Sequence, residues 1–327
     1  MGVSVFPATI ANLPPRRPLI ARLPPPAALK TSRLTRYTAL SDNAKAWLIL
    51  AGLALTWGSS YILMKKALLD FDGVEVATLR ISISGLAFAP VLLRYGREVD
   101  WGKSGLLFFV GLTGTAIPSF CFALALTRLN SSLGGVLSSL TPLLTLVVAA
   151  LFFGQVIKRE RALGIFVGLL GAGVLFGFQP GGLTGDFGYA LLIVLATLCY
   201  AVSSNTVAAK LRHMRSLTIS ASSFFLVGLL GLPYLLWGTD FIHTMQTNPH
   251  AWVGLTYVAI LALAGTVLAS VFFYQLVFLK DAVFASIVSY LIPVVALMWG
   301  AIDGETIYTY QLVGLVLILA GVYLTKK

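Results

Sequence analysis

Charged side chains in this sequence are gathered into short clusters, and the stretches between them are almost purely apolar for roughly twenty residues at a time. That spacing leaves few folds open. Twenty residues of helix, rising about 1.5 Å each, cover the roughly 30 Å of a bilayer's hydrocarbon. Inside lipid every backbone amide must be paired within the chain, so each such run is expected to be a helix. Composition points the same way. Hydrophobic residues make up 58% of the chain and charged residues 11%, against about a quarter charged in soluble domains. A water-facing surface for so much apolar material does not exist.

Ten spans are expected, near 46–66, 75–93, 105–127, 131–152, 162–178, 187–208, 217–237, 251–276, 282–301 and 308–325. The second is interrupted by Arg80, and the break between the third and fourth rests on Arg128, Asn130 and the serines that follow. With the N-terminus placed in the cytoplasm, 19 Lys and Arg residues fall on the inner side, and only Lys65, Lys66 and Arg128 on the outer. Moving the count by one span would destroy this alternation, so the positive-inside rule supports both the number of spans and cytoplasmic termini. The net charge of +11 therefore belongs to connectors that meet anionic lipid heads, not to a nucleic-acid surface.

Residues 1–44 stand apart. They are Pro-rich and basic, with no acid before Asp42 and no apolar core of signal-peptide length. A disordered tail, a plastid-type transit segment and a misplaced start are the three readings, the tail being preferred. Cys121 and Cys199 lie inside apolar runs as packing residues, and no His, Cys or carboxylate spacing suggests a metal or another cofactor.

The remainder divides into 45–180 and 181–327, and the two parts repeat one another. At an offset of 151, Gly114-Thr115 meets Gly265-Thr266, Phe122 meets Phe273, and Ser131, Gly135, Ser138 and Pro142 meet Ala282, Ser286, Ser289 and Pro293. At 150, Gly154-Gln155 meets Gly304-Glu305, and Gly164 and Gly171 meet Gly314 and Gly321. Five spans per half is an odd number, so equivalent helices cross in opposite directions. The fold class expected is an all-α integral membrane protein of ten helices in two inverted five-helix repeats, a plan of secondary transporters.

Candidate solute-binding residues come from polar and aromatic groups at mid-span. Trp57, Ser59, Ser60 and Tyr61 cluster on the first span, and Tyr200, Ser203, Ser204 and Asn205 on the sixth. Hydroxyls beside aromatic rings suit a solute with polar and apolar parts, whereas the alternative is serines bonded back to their own helices among packed rings. Ser138 on the fourth span and Ser286 and Ser289 on the ninth belong to small-residue stripes on one helix face. Close helix packing is the first reading of those stripes and a cavity wall the second. Tyr274 and Gln275 on the eighth span and Tyr290 on the ninth complete the set. For gating or coupling the candidates are Arg80, Glu305 and the helix-kinking Pro142 and Pro293. Arg80 is expected to snorkel or pair at the outer rim, with Asp72, Glu75, Asp303 and Glu305 within range, or alternatively to form a charged lid or an anion contact. The glycine-rich faces of the fifth and tenth spans are expected to pack.

Several of these motifs resemble the EamA-like branch of the drug/metabolite transporter superfamily, from about Ala46 to the C-terminus. The similarity rests on Trp57-Gly58-Ser59-Ser60-Tyr61, Arg80, Leu140-Thr141-Pro142, Phe153-Gly154-Gln155, Pro293, Gly304-Glu305, Gly314 and Gly321-Val322. Gln155 stands where that pattern carries glutamate, so the halves do not present matching carboxylates. The resemblance implies export of an amino acid, metabolite or drug-like compound, with nucleotide-sugar or sugar-phosphate exchange, as in related branches, the alternative. A membrane-embedded enzyme is disfavoured because no His or carboxylate lies deep beside the serines. The expected partners are a small solute and the bilayer, with homo-oligomers open. The expected location is the cytoplasmic membrane, with an organelle envelope as alternative.

Overall fold

The computed structural model describes residues 41–129, 134, 137–156, 158–177, 187–302 and 309–325. Among them every regular element is helical. The tail up to residue 40 lies outside the described residues, as do Ser131 and Gly135 of the fourth-span stripe and the stretch 303–308 that holds Asp303 and Glu305.

The first helix, α1 (Asp42–Ala67), starts on a Ser41 cap, and α2 (Gly73–Tyr95) starts on a capping box in which Asp72 and Glu75 each bond the other's backbone amide. Arg80 does not interrupt the second span. α2 runs through it without a break, because the guanidinium finds a polar partner inside the bundle. α3 (Ser104–Gly111) and α4 (Ile117–Leu126) form one continuous rod joined by a π-helical turn, Leu112–Ala116. α5 (Thr141–Phe153) ends on Gly154, whose positive φ of 60° closes the helix in the left-handed conformation. α6 (Arg159–Gly177), α7 (Phe187–Lys210), α8 (Ser216–Trp237) and the short α9 (Phe241–Thr247) follow. α10 (Ala251–Ala262) and α11 (Ala269–Leu279) again form one rod joined by a π-helical turn, Leu263–Leu268. The chain closes with α12 (Ala282–Ser286), α13 (Val288–Ile302) and α14 (Thr309–Thr325).

Among the described residues six helices are long and apolar enough to cross a membrane, and shorter apolar helices accompany them. Large apolar side chains such as Leu93, Leu151, Phe152, Trp252 and Val316 stand exposed on the outside. That suits lipid as the surrounding solvent.

Where lipid supplies no hydrophobic drive between helices, close packing must hold them together, and small residues permit it. α6 and α14 pack along most of their length, as do α2 and α8. A Cβ added to Gly321 would fall 2.5 Å from the Gly168 amide nitrogen, and one on Gly171 would fall 2.7 Å from the Ile318 nitrogen. These are the glycine-rich faces read from the sequence, and they act as packing surfaces. At the α2–α8 crossing Gly85 meets Gly228 backbone to backbone.

Polar contacts gather at the two ends. At the Arg- and Lys-rich end, Arg161 pairs with Asp281, and Lys280 Nζ donates to Asn43 Oδ1 at 2.9 Å. His213 meets Asp100 at 3.3 Å and Arg215 meets Glu98 at 3.2 Å. Lys103 donates to the Lys210 carbonyl at 3.2 Å and Arg212 to the Phe278 carbonyl at 3.0 Å. At the opposite end Thr244 donates to Glu75 at 3.0 Å and Asn248 to the Asp70 carbonyl at 3.1 Å. Most of these contacts join the first half of the chain to the second.

Candidate functional site

Between the two halves lies a cavity of about 880 Å³, its open mouth included. Its walls are built from equivalent positions in the two halves. On α1 and α7, Trp57 and Ser60 correspond to Tyr200 and Ser203 at an offset of 143, and on α4 and α11 Phe122 corresponds to Phe273 at 151. Each aromatic of the first pair lies against a phenylalanine of the second. Trp57 sits 5.4 Å from Phe273, and Tyr200 is stacked on Phe122 at 6.2 Å. Tyr61 meets Phe122 edge-on at 6.2 Å.

The π-helical turns explain how these helices approach so closely. A π turn frees a backbone carbonyl from the regular ladder, and such turns recur at functional sites. Here the freed Gly265 carbonyl accepts the Trp57 indole N–H at 2.8 Å. Gly114 and Gly265 sit in the two turns, and a methyl group on either would have to displace a facing hydroxyl. An added Cβ would lie 2.7 Å from Ser203 Oγ at Gly114, and 2.8 Å from Ser60 Oγ at Gly265. The sequence repeat at Gly114-Thr115 and Gly265-Thr266 is thus a pair of close approaches beside the cavity.

The cavity hydroxyls mostly donate to their own helices. Ser60 bonds the Thr56 carbonyl at 2.9 Å, Ser270 that of Val267 at 3.0 Å, and Ser286 that of Val283 at 2.7 Å. A hydroxyl that has spent its proton this way offers acceptor lone pairs to a solute. Ser203 lies 3.4 Å from the Tyr274 hydroxyl. Most of the wall is apolar or aromatic, and one charged side chain, Arg80, is among its lining residues.

Of the candidates read from sequence, Trp57, Ser60, Tyr61, Ser138, Tyr200, Tyr274, Ser286, Ser289 and Arg80 come together on this cavity. The small-residue stripe of the ninth span does not lie on one continuous helix, since the chain turns at Ile287 between α12 and α13, yet Ser286 and Ser289 both reach the cavity wall. Discontinuous helices are a recurring way to bring backbone and small side chains to a transport site.

Other candidates serve elsewhere. Ser59 donates to the Leu55 carbonyl at 2.8 Å and accepts from Trp299 at 2.7 Å. Ser204 is bonded to the Ala201 carbonyl at 3.2 Å. Asn205 bridges α7 to α5, donating to the Thr145 carbonyl at 3.0 Å as well as to Ala201 at 2.9 Å. Gln275 points outward and is exposed. Tyr290 donates to the Ile165 carbonyl at 2.8 Å, and its ring covers Gly168. Pro142 falls in the first turn of α5, where the missing N–H costs nothing, and so does not kink a helix. Pro293 lies inside α13. Glu305 is outside the described residues.

The rim pairing anticipated for Arg80 is replaced by a different arrangement. Arg80 is buried, and its Nε donates to Thr266 Oγ1 at 2.7 Å. Glu75 is engaged by the Asp72 amide and the Thr244 hydroxyl, at 2.9 and 3.0 Å. Its place in the first turn of α2 is already favoured by the helix dipole. Asp72 in turn caps α2.

The lining residues that sequence reasoning passed over as site candidates include Gly114, Phe122 and Phe273, with Met64, Phe224 and Ile292 as apolar wall. A signal for some of them existed in the 151 offset, which pairs Gly114 with Gly265 and Phe122 with Phe273. The 143 offset that aligns Gly85 with Gly228 and Pro90 with Pro233 also selects Ser203, not Ser204, as the partner of Ser60.

The sequence profile of the EamA-like transporter family matches this chain twice, over residues 44–177 and again over 187–326. An uncharacterized transporter of Archaeoglobus fulgidus is 23% identical over 284 residues, covering 86% of this chain and 99% of that protein. The uncharacterized inner membrane transporter YedA of Escherichia coli K12 is 24% identical over 278 residues, covering 84% and 88%. A solved crystal structure superposes with a TM-score of 0.66 at 19% identity, covering 85% of this chain and 95% of its own, a likeness of fold. With both matches together spanning most of the sequence and the apolar helices enclosing a central cavity, this multi-pass membrane protein belongs to the EamA-like transporter family.

Proposed function

We propose that this chain is a secondary carrier that exports a small organic solute, such as an amino acid, metabolite or drug-like compound, by alternating access between two inverted five-helix halves. One observation carries the reading. The central cavity is lined by equivalent residues of the two halves, Trp57 and Ser60 with Phe273 from one pairing, Tyr200 and Ser203 with Phe122 from the other. Halves of like sequence facing one cavity have similar energies whether they close on one side or the other, so rocking one against the other exchanges access at low cost.

The double match to the family profile supports the two-half division. Helix pairing supports it too. α2 packs on its equivalent α8 and α6 on its equivalent α14, while α1 meets α13 as α7 meets α5. The connectors that share the Arg- and Lys-rich end, joined through Asn43, Asp100, Arg161, Arg212 and Asp281, are those assigned to the cytoplasm by charge. On this reading both termini are cytoplasmic and the carrier sits in the cytoplasmic membrane.

The test is efflux from proteoliposomes preloaded with a metabolite mixture, run with and without a pH gradient. A carrier releases defined solutes faster than protein-free vesicles, and a bulky Ser138→Trp on the cavity wall stops it. Equal release with and without protein, across the whole mixture, refutes the reading. Reporter tags at the chain ends test the topology, and ends on opposite faces would remove the inverted arrangement.

A further inference from the structure

Arg80 is where the two halves stop matching. At the 143 offset its counterpart is Ser223, a buried serine whose hydroxyl has no partner among the described residues. The cavity is therefore symmetric in its aromatic walls and asymmetric in charge. Resting on the carrier reading above, we infer that Arg80 is the anion-binding group of the cavity, and that the solute is an amphipathic organic monoanion, a carboxylate on a flat apolar body.

Four observations carry this. First, Arg80 is buried yet lines the cavity. Second, among the described residues no carboxylate lies within ion-pairing distance of it. Burying a guanidinium without a counter-charge is costly, and such a cation inside a membrane bundle marks a functional position. Third, among the described residues its guanidinium makes one hydrogen bond, from Nε to Thr266. That bond fixes the plane of the guanidinium and leaves the two Nη groups, the pair that grips a carboxylate side by side. Fourth, Tyr61 on α1 and Tyr200 on α7 line the same cavity as Arg80. They continue into the wall of Phe122, Trp57 and Phe273.

The same inventory limits the ligand. Arg80 is the one cation among the described lining residues, so a diphosphate or other multiply charged head would lack counter-charges there. Among the described residues no carboxylate lines the cavity either, so a simple amine would meet there only hydroxyls and ring faces beside a like charge. A monoanion with a planar hydrocarbon body satisfies both ends of the site at once. A hydroxyl or N–H substituent on that body would find the spare lone pairs of Ser60, Ser270 and Ser286.

The test uses the full chain in lipid nanodiscs and three probes of one shape, 3-phenylpropionate, its neutral amide and 3-phenylpropylamine, with affinities read by calorimetric titration. In the wild type the carboxylate binds about tenfold or more tighter than the amide, the scale of a charged hydrogen-bonded pair, and the amine binds weakest. In Arg80→Gln the ratio of carboxylate to amide affinity falls to about one. Arg80→Lys, which keeps the charge and loses the fork, retains an intermediate ratio. Should Arg80→Gln fail to fold, the wild-type ratio and the lysine variant still decide.

Equal affinities for carboxylate and amide in the wild type, or an undiminished ratio in Arg80→Gln, overturn the inference. Vesicle efflux separates this failure from failure of the carrier reading. Equal affinities with Ser138→Trp-sensitive efflux of either probe intact overturn the anion assignment alone. Absence of both binding and efflux overturns the two together.

Discussion

Replacing Gly85 by alanine tests whether the α2–α8 crossing positions the cavity. The new Cβ would lie 2.7 Å from the Gly228 Cα, and the reciprocal Gly228→Ala would place its Cβ 2.6 Å from the Gly85 Cα. Carbon atoms rest at about 3.5–4.0 Å, so the helices must separate by about 1 Å. Neither obstacle is a flexible side-chain tip that can swing aside, because each is backbone of the opposing helix. Overpacking of this kind costs about 1–3 kcal/mol, and the loss is spread along one of the longest helix contacts in the molecule. α2 also carries Arg80, which reaches Thr266 at 2.7 Å. A hydrogen bond lengthened by about 1 Å is no longer one, so the variant loses affinity for solute as well as stability. Each single variant and the double variant are to be unfolded in mixed micelles of increasing SDS content. The two singles are each expected to lose about 1–3 kcal/mol. The double variant should lose less than their sum, since the first methyl already opens the crossing for the second. If both singles unfold with the wild type, the helices are not held at backbone contact and the reasoning fails.

Further expectations concern the cavity, its gate and its frame. Ser138→Trp fills space between Tyr61, Thr141 and Ser289, and efflux from vesicles should fall to the protein-free rate while membrane insertion, followed by protease protection, stays normal. A disulfide formed in Arg161→Cys/Asp281→Cys, at the pair that joins the two halves, should arrest efflux until a reductant is added, whereas unchanged flux after complete cross-linking would mean that this end need not open. Asn205→Leu removes the link from α7 to the Thr145 carbonyl and should cost about 0.6–1.7 kcal/mol, the range for hydrogen bonds between membrane helices, read by the same SDS titration. Tyr290→Phe frees the Ile165 carbonyl and should lower stability by a similar amount, leaving the order of solute preference, measured by competition, as in the wild type.

Residues that obey a local rule were legible in advance. The apolar runs had to be helices because lipid offers no other partner for the backbone. The glycine faces of α6 and α14 declared themselves as packing surfaces because small residues at helical spacing have that use in lipid. Part of the cavity wall was legible for a similar reason. Trp57, Ser60, Tyr61 and Tyr200 are amphipathic groups at mid-span, costly there unless they face one another or a cavity. Neighbours one residue away, Ser59 and Ser204, have the same chemistry and differ only in the direction their helix turns them.

The amino-acid sequence by itself thus determined the solvent, the helical class and the duplication of the chain, since each follows from patterns along one dimension. Tertiary structure alone decided which polar groups converge. Glu75 is consumed by a cap and by Thr244 across the bundle, Tyr290 by a carbonyl on α6, and the Arg80 guanidinium on the cavity wall has one hydroxyl partner among the described residues. Those outcomes depend on partners more than a hundred residues away, brought close by helix crossings that no local pattern specifies.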